Sequence, residues 1–271
     1  MLNFSLLAAA TVLLAVSTPA LAQPEPAWST SAAGEQVVDL PSGDGVTQRV
    51  LLDAPLRPRA TLVMLPGGTG DVGVGRDGDP RHDNNFVVRT RAAWVAKGYA
   101  VVIPDTIDQA NLRGVRSSPA YGRLVDDVAD YARDRFQAPV FLVGTSQGTI
   151  AAMNAAARAG PGLIAGVVLT ESVSVPGRRS TETVFDARPQ DVRVPALIVA
   201  NRDDACDVAP PAMAERIVAA MIHSPSVQLL PVSGGAQRSQ SACGSLSPHG
   251  YYDIEQPVID RVAGWLRVHG G

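Results

Sequence analysis

Residues that would support metal or nucleotide chemistry are scarce in this 271-residue chain. Its four histidines show neither H-x-H nor H-E-x-x-H spacing, so the sequence gives no support for a catalytic metal. No glycine-rich loop is followed by Gly-Lys-Ser/Thr, and none of the form G-x-G-x-x-G opens a helix, so no cofactor is expected. The formal net charge of −3 gives no reason to expect a nucleic acid or an anionic membrane surface as a partner.

Charged side chains are missing from residues 1–22, which run from the apolar segment LLAAATVLLAV to Ala20-Leu21-Ala22. This pattern predicts a signal peptide cleaved near Ala22–Gln23, and therefore a periplasmic or secreted protein. An uncleaved anchor is the alternative, but the apolar segment is shorter than the roughly 20 residues of a membrane span. No second such segment follows, so no stable membrane anchor is expected after cleavage. Residues 23–34 are expected to form a flexible arm, and residues 35–271 a single domain.

Short runs rich in Val, Ile and Leu recur along the chain and are almost continuously apolar, as are strands buried on both faces of a parallel sheet. These runs are TLVML (61–65), YAVVIP (99–104), PVFLV (139–143), GVVLT (166–170), PALIVA (195–200) and VQLLP (227–231). Segments with helical spacing alternate with them, approximately at 87–97, 119–135, 147–159, 209–221 and 254–268. This alternation predicts an α/β fold with a doubly wound, mostly parallel sheet. The segments VVDL (37–40) and QRVLL (48–52), separated by the turn residues SGDG, predict an antiparallel hairpin ahead of that sheet.

The segment GTSQG (144–148) lies between a predicted buried strand and a predicted helix. A sharp strand-to-helix turn forces its central residue into strained backbone geometry, and glycines two positions away on either side let the neighbouring chains approach. Ser146 is therefore predicted to project from the carboxyl edge of the sheet as a nucleophile. A glycine-rich turn with an incidental serine is the alternative interpretation.

A serine hydroxyl needs a histidine base and an orienting carboxylate, and both follow later predicted strands. The strand PALIVA runs into NRDDACD, which places Asp203 and Asp204 in the loop after it. The strand VQLLP is followed by a loop that brings His249 to the start of the last helix. His82, His223 and His269 do not follow the last strand, so His249 is the predicted base.

This order of serine, acid and histidine resembles that of the α/β-hydrolases, and the resemblance covers nearly all of the sequence after the signal peptide. The loops Asp204-Ala205-Cys206 and CGSLSPHGY (243–251) are also similar to those of a group of exported bacterial hydrolases. The resemblance favours Asp204 as the orienting acid, with Asp203 in reserve. Export predicts that the two cysteines form one disulfide, and the resemblance implies that Cys206 and Cys243 tie the acid loop to the histidine loop. A staple without a catalytic role is the alternative.

The resemblance also implies two backbone N–H donors for a developing oxyanion, those of Gln147 and of Gly68 in the loop PGGTG. An ordinary turn or a phosphate-binding loop is the other interpretation of PGGTG. The connection over residues 171–194 is too short for a large helical lid. Residues 71–85 and 107–121 and the pair Tyr251-Tyr252 are expected to form the rim of the pocket. Arg113 and Arg116 are expected either to face an acidic substrate or to lie on the solvated surface.

Together these features predict an exported serine hydrolase that cleaves a small or medium carboxylic ester through Ser146, His249 and Asp204 without a cofactor. A small-molecule ester is the expected partner, and the sequence does not indicate the oligomeric state. A serine peptidase or amidase of the same fold is the first alternative. A non-catalytic extracytoplasmic binding protein is an alternative of another class, and its distinguishing mark would be a missing member of the triad.

Overall fold

The protein was studied as a computed structural model that describes Met1, the backbone of residues 28–30, and residues 34–41 and 45–270. These residues contain one nine-stranded sheet with the order β1-β2-β3-β5-β4-β6-β7-β8-β9. The strands are β1 (Trp28–Thr30), β2 (Gln36–Pro41), β3 (Thr47–Asp53), β4 (Ala60–Leu65), β5 (Tyr99–Pro104), β6 (Val140–Thr145), β7 (Gly166–Thr170), β8 (Ala196–Asn201) and β9 (Val227–Val232). The helices are α1 (Phe86–Arg89), α2 (Arg91–Ala96), α3 (Pro119–Phe136), α4 (Gly148–Arg158), α5 (Ala214–Ala220) and α6 (Glu255–Val268).

The sheet combines an antiparallel N-terminal part with a parallel remainder. Strands β2 and β3 form the predicted hairpin, and β3 pairs antiparallel with β5. From β5 to β9 every neighbouring pair is parallel. The strands from β4 to β8 are buried along their whole length, whereas β9 at the edge is half exposed. The predicted doubly wound, mostly parallel sheet is thus confirmed.

Helices cover both faces of the sheet, because each presents one apolar side to it. On one face, α3 and α4 contribute Val125, Val128 and Ile150 to a buried cluster with inward residues of the strands. On the other face, Trp94 of α2 and Trp265 of α6 belong to a second cluster. Because the strands are parallel, all their carboxyl ends meet at one edge, and the loops that leave this edge hold the site described below.

Two predicted helices differ from the structure for local reasons. The segment predicted as one helix over 87–97 is divided into α1 and α2 at Thr90, whose hydroxyl donates to the carbonyl of Phe86 at 2.7 Å. Such back-bonding by a threonine favours a bend. The helix predicted over 209–221 begins only at Ala214, because Pro210 and Pro211 limit the preceding segment to a short 3-10 turn.

The predicted N-terminal segments fall mostly outside the described residues. The signal peptide prediction lies there except for Met1, and so does most of the predicted arm. Within the arm, residues 28–30 form β1, which pairs antiparallel with β2. The described part of the chain contains no helix that is long and apolar enough to cross a bilayer. No α-helix is present between β7 and β8, a connection that is described in full, and this agrees with the predicted minimal lid.

Candidate active site

The turn at Ser146 is tight because three backbone segments meet there. Ser146 has φ of +51°, a left-handed conformation that is strained for a serine. A Cβ atom at Gly144 would lie 2.4 Å from the carbonyl oxygen of Gly148, and one at Gly148 would lie 2.0 Å from that of Leu65. Both positions therefore exclude any side chain, which is the physical reason for the two glycines of GTSQG. The strained turn leaves the Ser146 side chain partly exposed at the carboxyl edge of the sheet.

Three side chains from separate loops form one hydrogen-bonded chain at this edge. The Nε2 atom of His249 lies 2.8 Å from the Ser146 hydroxyl oxygen. Its Nδ1 atom lies 2.7 Å from Oδ2 of Asp204. His249 and Asp204 are 3% and 6% exposed. The pairing of Nδ1 with a carboxylate leaves Nε2 as the nitrogen that can accept the serine proton.

The two neighbouring aspartates of the acid loop have different environments. The second oxygen of Asp204, Oδ1, accepts the Cys206 N–H at 2.8 Å. Asp203 is exposed and accepts the Gly234 N–H at 2.6 Å. The structure therefore places Asp204, and not the reserve residue Asp203, against His249.

The acid loop and the histidine loop are joined both covalently and by hydrogen bonds. Cys206 and Cys243 form the predicted disulfide. The amide nitrogen of Asn201, at the end of β8, donates to the carbonyls of Gly234 and Pro248, each at 2.9 Å. These links fix the loop that follows β8 relative to the loop that carries His249.

Arg89 and Ser247 hold the histidine loop from its other side. The Arg89 guanidinium donates to the carbonyl of Gly250 and pairs with Glu255 at 2.8 Å. The Ser247 hydroxyl accepts the N–H of His249 at 3.2 Å, at the start of a 3-10 turn. The imidazole is thus positioned by partners on both sides of the loop.

The loop after β4 lies directly against the serine. A Cβ atom at Gly67 would be 3.0 Å from the Cβ atom of Ser146, so the neighbouring Gly68 lies close to the hydroxyl. In the described structure, neither the Gly68 N–H nor the Gln147 N–H takes part in a hydrogen bond. Both donors predicted for an oxyanion therefore remain free to bind one.

A cleft of about 420 Å³ opens beside Ser146 and His249. One wall comes from the loop after β4 and the segment before α1, and the other from residues 243–245. The side chains of Asp71, His82 and Asn85 line it, so part of the predicted 71–85 rim is present. The cleft combines polar groups with the apolar Val72, Phe86 and Val88.

Other rim predictions were wrong. Tyr251 is fully buried, stacks edge-on against Phe86 at 5.0 Å between ring centroids, and donates to the carbonyl of Val199.

Arg116 is 1% exposed and donates to the carbonyl of Pro66 at 3.3 Å, so it neither faces the cleft nor lies on the solvated surface. Residues 107–121 do not line the cleft, although Arg113 lies near Gly68. The local pattern did not show that Arg116 bonds the loop after β4 and that Tyr251 packs against β8 and α1.

Glu171, which the sequence reasoning did not identify, lies next to Asp204 and His249. It follows β7 directly, is 1% exposed and accepts the Asn201 N–H at 2.8 Å. Burial raises its pKa well above the ordinary glutamate value, and the nearby Asp204 raises it further. An acid placed immediately after the buried run GVVLT was the available signal, because that position also belongs to the carboxyl edge.

Two clusters in the described structure have the composition of metal ligands, but the cysteine sulfurs of one and the Asp204 and His249 atoms of the other have other partners. In one, Asp207 lies beside Cys206 and Cys243, whose sulfur atoms are bonded to each other. The other consists of Glu171, Asp204 and His249, where the imidazole faces Asp204 and Ser146. The donor sets are therefore explained by a disulfide and by hydrogen bonds.

Comparisons with known proteins give matches only among solved structures. No protein-family model matches the chain. No curated protein sequence matches it. Similar structures include a dienelactone hydrolase from Anabaena variabilis, with 18% identity, a TM-score of 0.58, and coverage of 86% of this chain and 97% of that one. A proline iminopeptidase from Mycobacterium smegmatis has 14% identity and a TM-score of 0.57, covering 86% and 98% of the two chains. An esterase from Exiguobacterium antarcticum has 12% identity and a TM-score of 0.53, covering 84% and 98%. At these identities the matches establish the fold alone.

Proposed function

We propose that this protein, whose chain has the predicted α/β-hydrolase fold, is a serine hydrolase that cleaves small or medium carboxylic esters. The observation that carries the proposal is the continuous chain from the Ser146 hydroxyl through His249 to Asp204, with contacts of 2.8 and 2.7 Å. A nucleophile, a base and an orienting acid within hydrogen-bond reach are the arrangement that acyl transfer requires.

In the proposed reaction, Oγ of Ser146 attacks the acyl carbon while its proton passes to Nε2 of His249. The N–H groups of Gln147 and Gly68 stabilise the oxyanion of the tetrahedral intermediate. Collapse of this intermediate breaks the bond to the alcohol oxygen, and the alcohol leaves with the proton from His249. A water molecule then attacks the acyl-enzyme with His249 again as the base, which releases the carboxylic acid and restores Ser146. Asp204 keeps Nδ1 protonated and stabilises the imidazolium ion.

The cleft supports a substrate of limited size. Its volume of about 420 Å³ lies within the range of small-molecule sites. The connection between β7 and β8 carries no helical lid that would enclose a long lipid chain. The names of two structural neighbours, a dienelactone hydrolase and an esterase, agree with an ester. The name of another neighbour, a proline iminopeptidase, agrees instead with an amide substrate, which is the alternative.

Export is part of the proposal. Its support is the uncharged segment 1–22 with its Ala20-Leu21-Ala22 site, together with a disulfide of the kind that persists in oxidising compartments. N-terminal sequencing of protein recovered from the periplasm or the medium is expected to begin at Gln23. A chain that retains residues 1–22 in the membrane fraction would contradict this prediction.

The nucleophile is tested by intact-mass analysis of the mature, oxidised protein after reaction with a fluorophosphonate. We expect one adduct, mapped to Ser146, that is lost in Ser146→Ala. The His249→Ala variant should react at least about 100-fold more slowly, because the serine proton then has no acceptor. The matched control is His223→Ala, since His223 is exposed and its ring nitrogen Nδ1 hydrogen-bonds the carbonyl of Gln190 rather than a residue of the cleft.

A panel of ester and amide substrates, including a proline amide, then distinguishes an esterase from a peptidase or amidase. Hydrolysis of esters alone supports the proposal, and preferential hydrolysis of the amide would replace it with the alternative. Absence of an adduct on the folded protein would remove the triad assignment and favour the non-catalytic binding protein.

A further inference from the structure

Glu171 occupies an unusual position at the end of β7. Its φ of +48° is strained for a glutamate and directs the chain sharply away from the strand. The side chain is buried, and its Oε1 atom accepts the Asn201 N–H at 2.8 Å. No hydrogen-bond donor of the described residues reaches its other oxygen, Oε2. A buried oxygen without a donor is costly if the carboxyl group is ionised.

The groups that face Glu171 make ionisation costlier still. One of its carboxyl oxygens lies within 4.8 Å of both a carboxyl oxygen of Asp204 and a ring nitrogen of His249. The hydroxyl of Tyr251 also lies beside it and opposes this effect, because a hydrogen bond from it lowers the pKa of Glu171, but by less than burial and Asp204 raise it. In the structure this hydroxyl donates to the carbonyl of Val199 at 3.2 Å. Two carboxylates this close inside a protein do not both ionise readily, so the pair tends to hold one proton.

The hydrogen-bond donors around the pair decide which carboxyl group holds that proton. Asp204 receives the N–H of Cys206 and faces Nδ1 of His249, so both of its oxygens have N–H partners that stabilise an anion. Glu171 receives one N–H, from Asn201. The negative charge therefore belongs on Asp204 and the proton on Glu171. The pKa of Glu171, raised first by burial and then by Asp204, agrees with this assignment.

We propose that Glu171 is a positioning residue that remains a neutral carboxylic acid at neutral pH and donates its O–H to the Asp204 carboxylate. The bond gives Oε2 a partner and fixes Asp204 by a contact additional to those with His249 and Cys206. It also leaves a single negative charge behind the imidazole. The part of this inference that concerns catalysis rests on the proposed function, whereas the protonation of Glu171 does not.

Protonation is tested by infrared spectroscopy of the oxidised full-length mature protein at pH 7. A protonated carboxyl group absorbs at a different infrared frequency from an ionised carboxylate. The wild type is therefore expected to show a carboxyl band that Glu171→Gln lacks. The matched control is Glu215→Gln, which removes an exposed carboxyl group on α5 and should leave the band unchanged. Identical carboxyl bands in the wild type and Glu171→Gln would overturn the proposal. Because this signal does not depend on turnover, it separates a failure of the proposal from a failure of the proposed function.

Kinetics test the positioning role. A glutamine retains a neutral donor of the same shape, so Glu171→Gln should retain kcat within about threefold, whereas Glu171→Leu should lose about 10- to 100-fold in kcat with little change in KM.

The acid limb of kcat/KM against pH should have the same midpoint in Glu171→Gln and the wild type, since neither places a second charge near His249. A midpoint lowered by about one pH unit or more in Glu171→Gln would show that Glu171 is ionised in the wild type and would overturn the proposal. Equal kcat losses in Glu171→Gln and Glu171→Leu would also contradict it.

Discussion

Asp105 and Glu171 occupy equivalent places in the sheet but have opposite surroundings. Each is the first residue after a fully buried parallel strand, Asp105 after β5 and Glu171 after β7. The carboxylate of Asp105 accepts four backbone N–H groups, those of Val72, Gly73, Val74 and Thr106, at 2.7 to 3.3 Å. Glu171 accepts one, that of Asn201, and lies beside another carboxylate.

The difference shows that the number of donors, and not burial alone, decides the role of a carboxyl group at this edge. With four N–H donors, Asp105 acts as an anion that holds the 72–74 segment at one wall of the cleft. With one donor and a charged neighbour, Glu171 is suited to be a neutral donor itself.

Asp105→Asn should be the most destabilising of the conservative substitutions. An amide has one acceptor oxygen, so at least one buried N–H group, that of Val74 if the oxygen takes the Oδ1 position, would face the NH₂ group and lose its partner. The remaining N–H groups would no longer bond to a charged acceptor. We expect the free energy of unfolding to fall by about 3 to 4 kcal/mol, measured by urea denaturation. Asp77→Asn is the control, since Asp77 is exposed and accepts a single N–H at 3.3 Å, and it should cost under about 0.5 kcal/mol. Equal losses in the two variants would refute the anion role of Asp105.

The loops near Glu171 are joined by the disulfide between Cys206 and Cys243, whereas those near Asp105 have no disulfide in the described structure. Replacing Cys206 and Cys243 together by alanine should lower the stability by about 3 kcal/mol, because the unfolded chain is then no longer closed over a sequence separation of 37 residues. Activity should fall as well, since the acid and histidine loops lose one of their ties. Addition of a reductant should reproduce the loss in the wild type and leave the double variant unchanged. If the double variant matches the oxidised wild type, the disulfide has no such role.

Glu171 should make stability decrease with rising pH. Its pKa is raised in the folded protein, so its favourable contribution is complete below the unfolded pKa, about 4.3, and is lost as the pH rises toward the folded pKa. The slope is at most about 1.4 kcal/mol per pH unit. Glu171→Gln should remove this component. The free energy of unfolding of the variant, relative to that of the wild type, should therefore increase from pH 4 to pH 8. Parallel stability curves over that range would contradict the prediction.

Asp126, on the surface of α3, is another carboxyl group with a raised pKa. Its replacement should change the free energy of unfolding only slightly. Burial, followed by the neighbouring Asp127 and Asp130, raises its pKa to about 6. Because Asp126 is only half-buried, solvent screens most of this penalty. At pH 7, Asp126→Asn should therefore raise the stability by less than about 1 kcal/mol. The gain should become small at pH 4, close to the ordinary aspartate pKa of about 3.9, because below that pH the carboxyl group is protonated in both the folded and the unfolded chain. A gain of undiminished size at pH 4 would have another cause.

Local patterns predicted the frame of the site. The apolar runs identified the parallel strands because burial on both faces of a sheet permits few polar residues. GTSQG indicated the turn because close backbone contacts exclude side chains at Gly144 and Gly148. His249 and the pair Asp203 and Asp204 were identified because they follow strands, and the resemblance to the α/β-hydrolases favoured Asp204 within that pair. The meeting of Asp204 and His249 with Ser146 follows from the parallel arrangement.

The same patterns did not predict which long side chains turn inward. Tyr251 and Arg116 were assigned to the rim or the surface, yet both are buried. A tyrosine or an arginine in a loop has the same local sequence whether it faces solvent or supports a neighbouring loop. Its burial depends on segments far away in the chain, such as Val199 for Tyr251 and Pro66 for Arg116.

The order of strands and helices, the tight turn at Ser146 and the types of residue at the carboxyl edge can be predicted from the amino-acid sequence. These features depend on periodicity and on backbone sterics, which act over a few neighbouring residues. The contact between Glu171 and Asp204 cannot be predicted in this way, because it requires β7 and β8 to be neighbours and Glu171 to adopt a positive φ. Electrostatic coupling depends on distance in space, and residues 171 and 204 become close only when the sheet has formed.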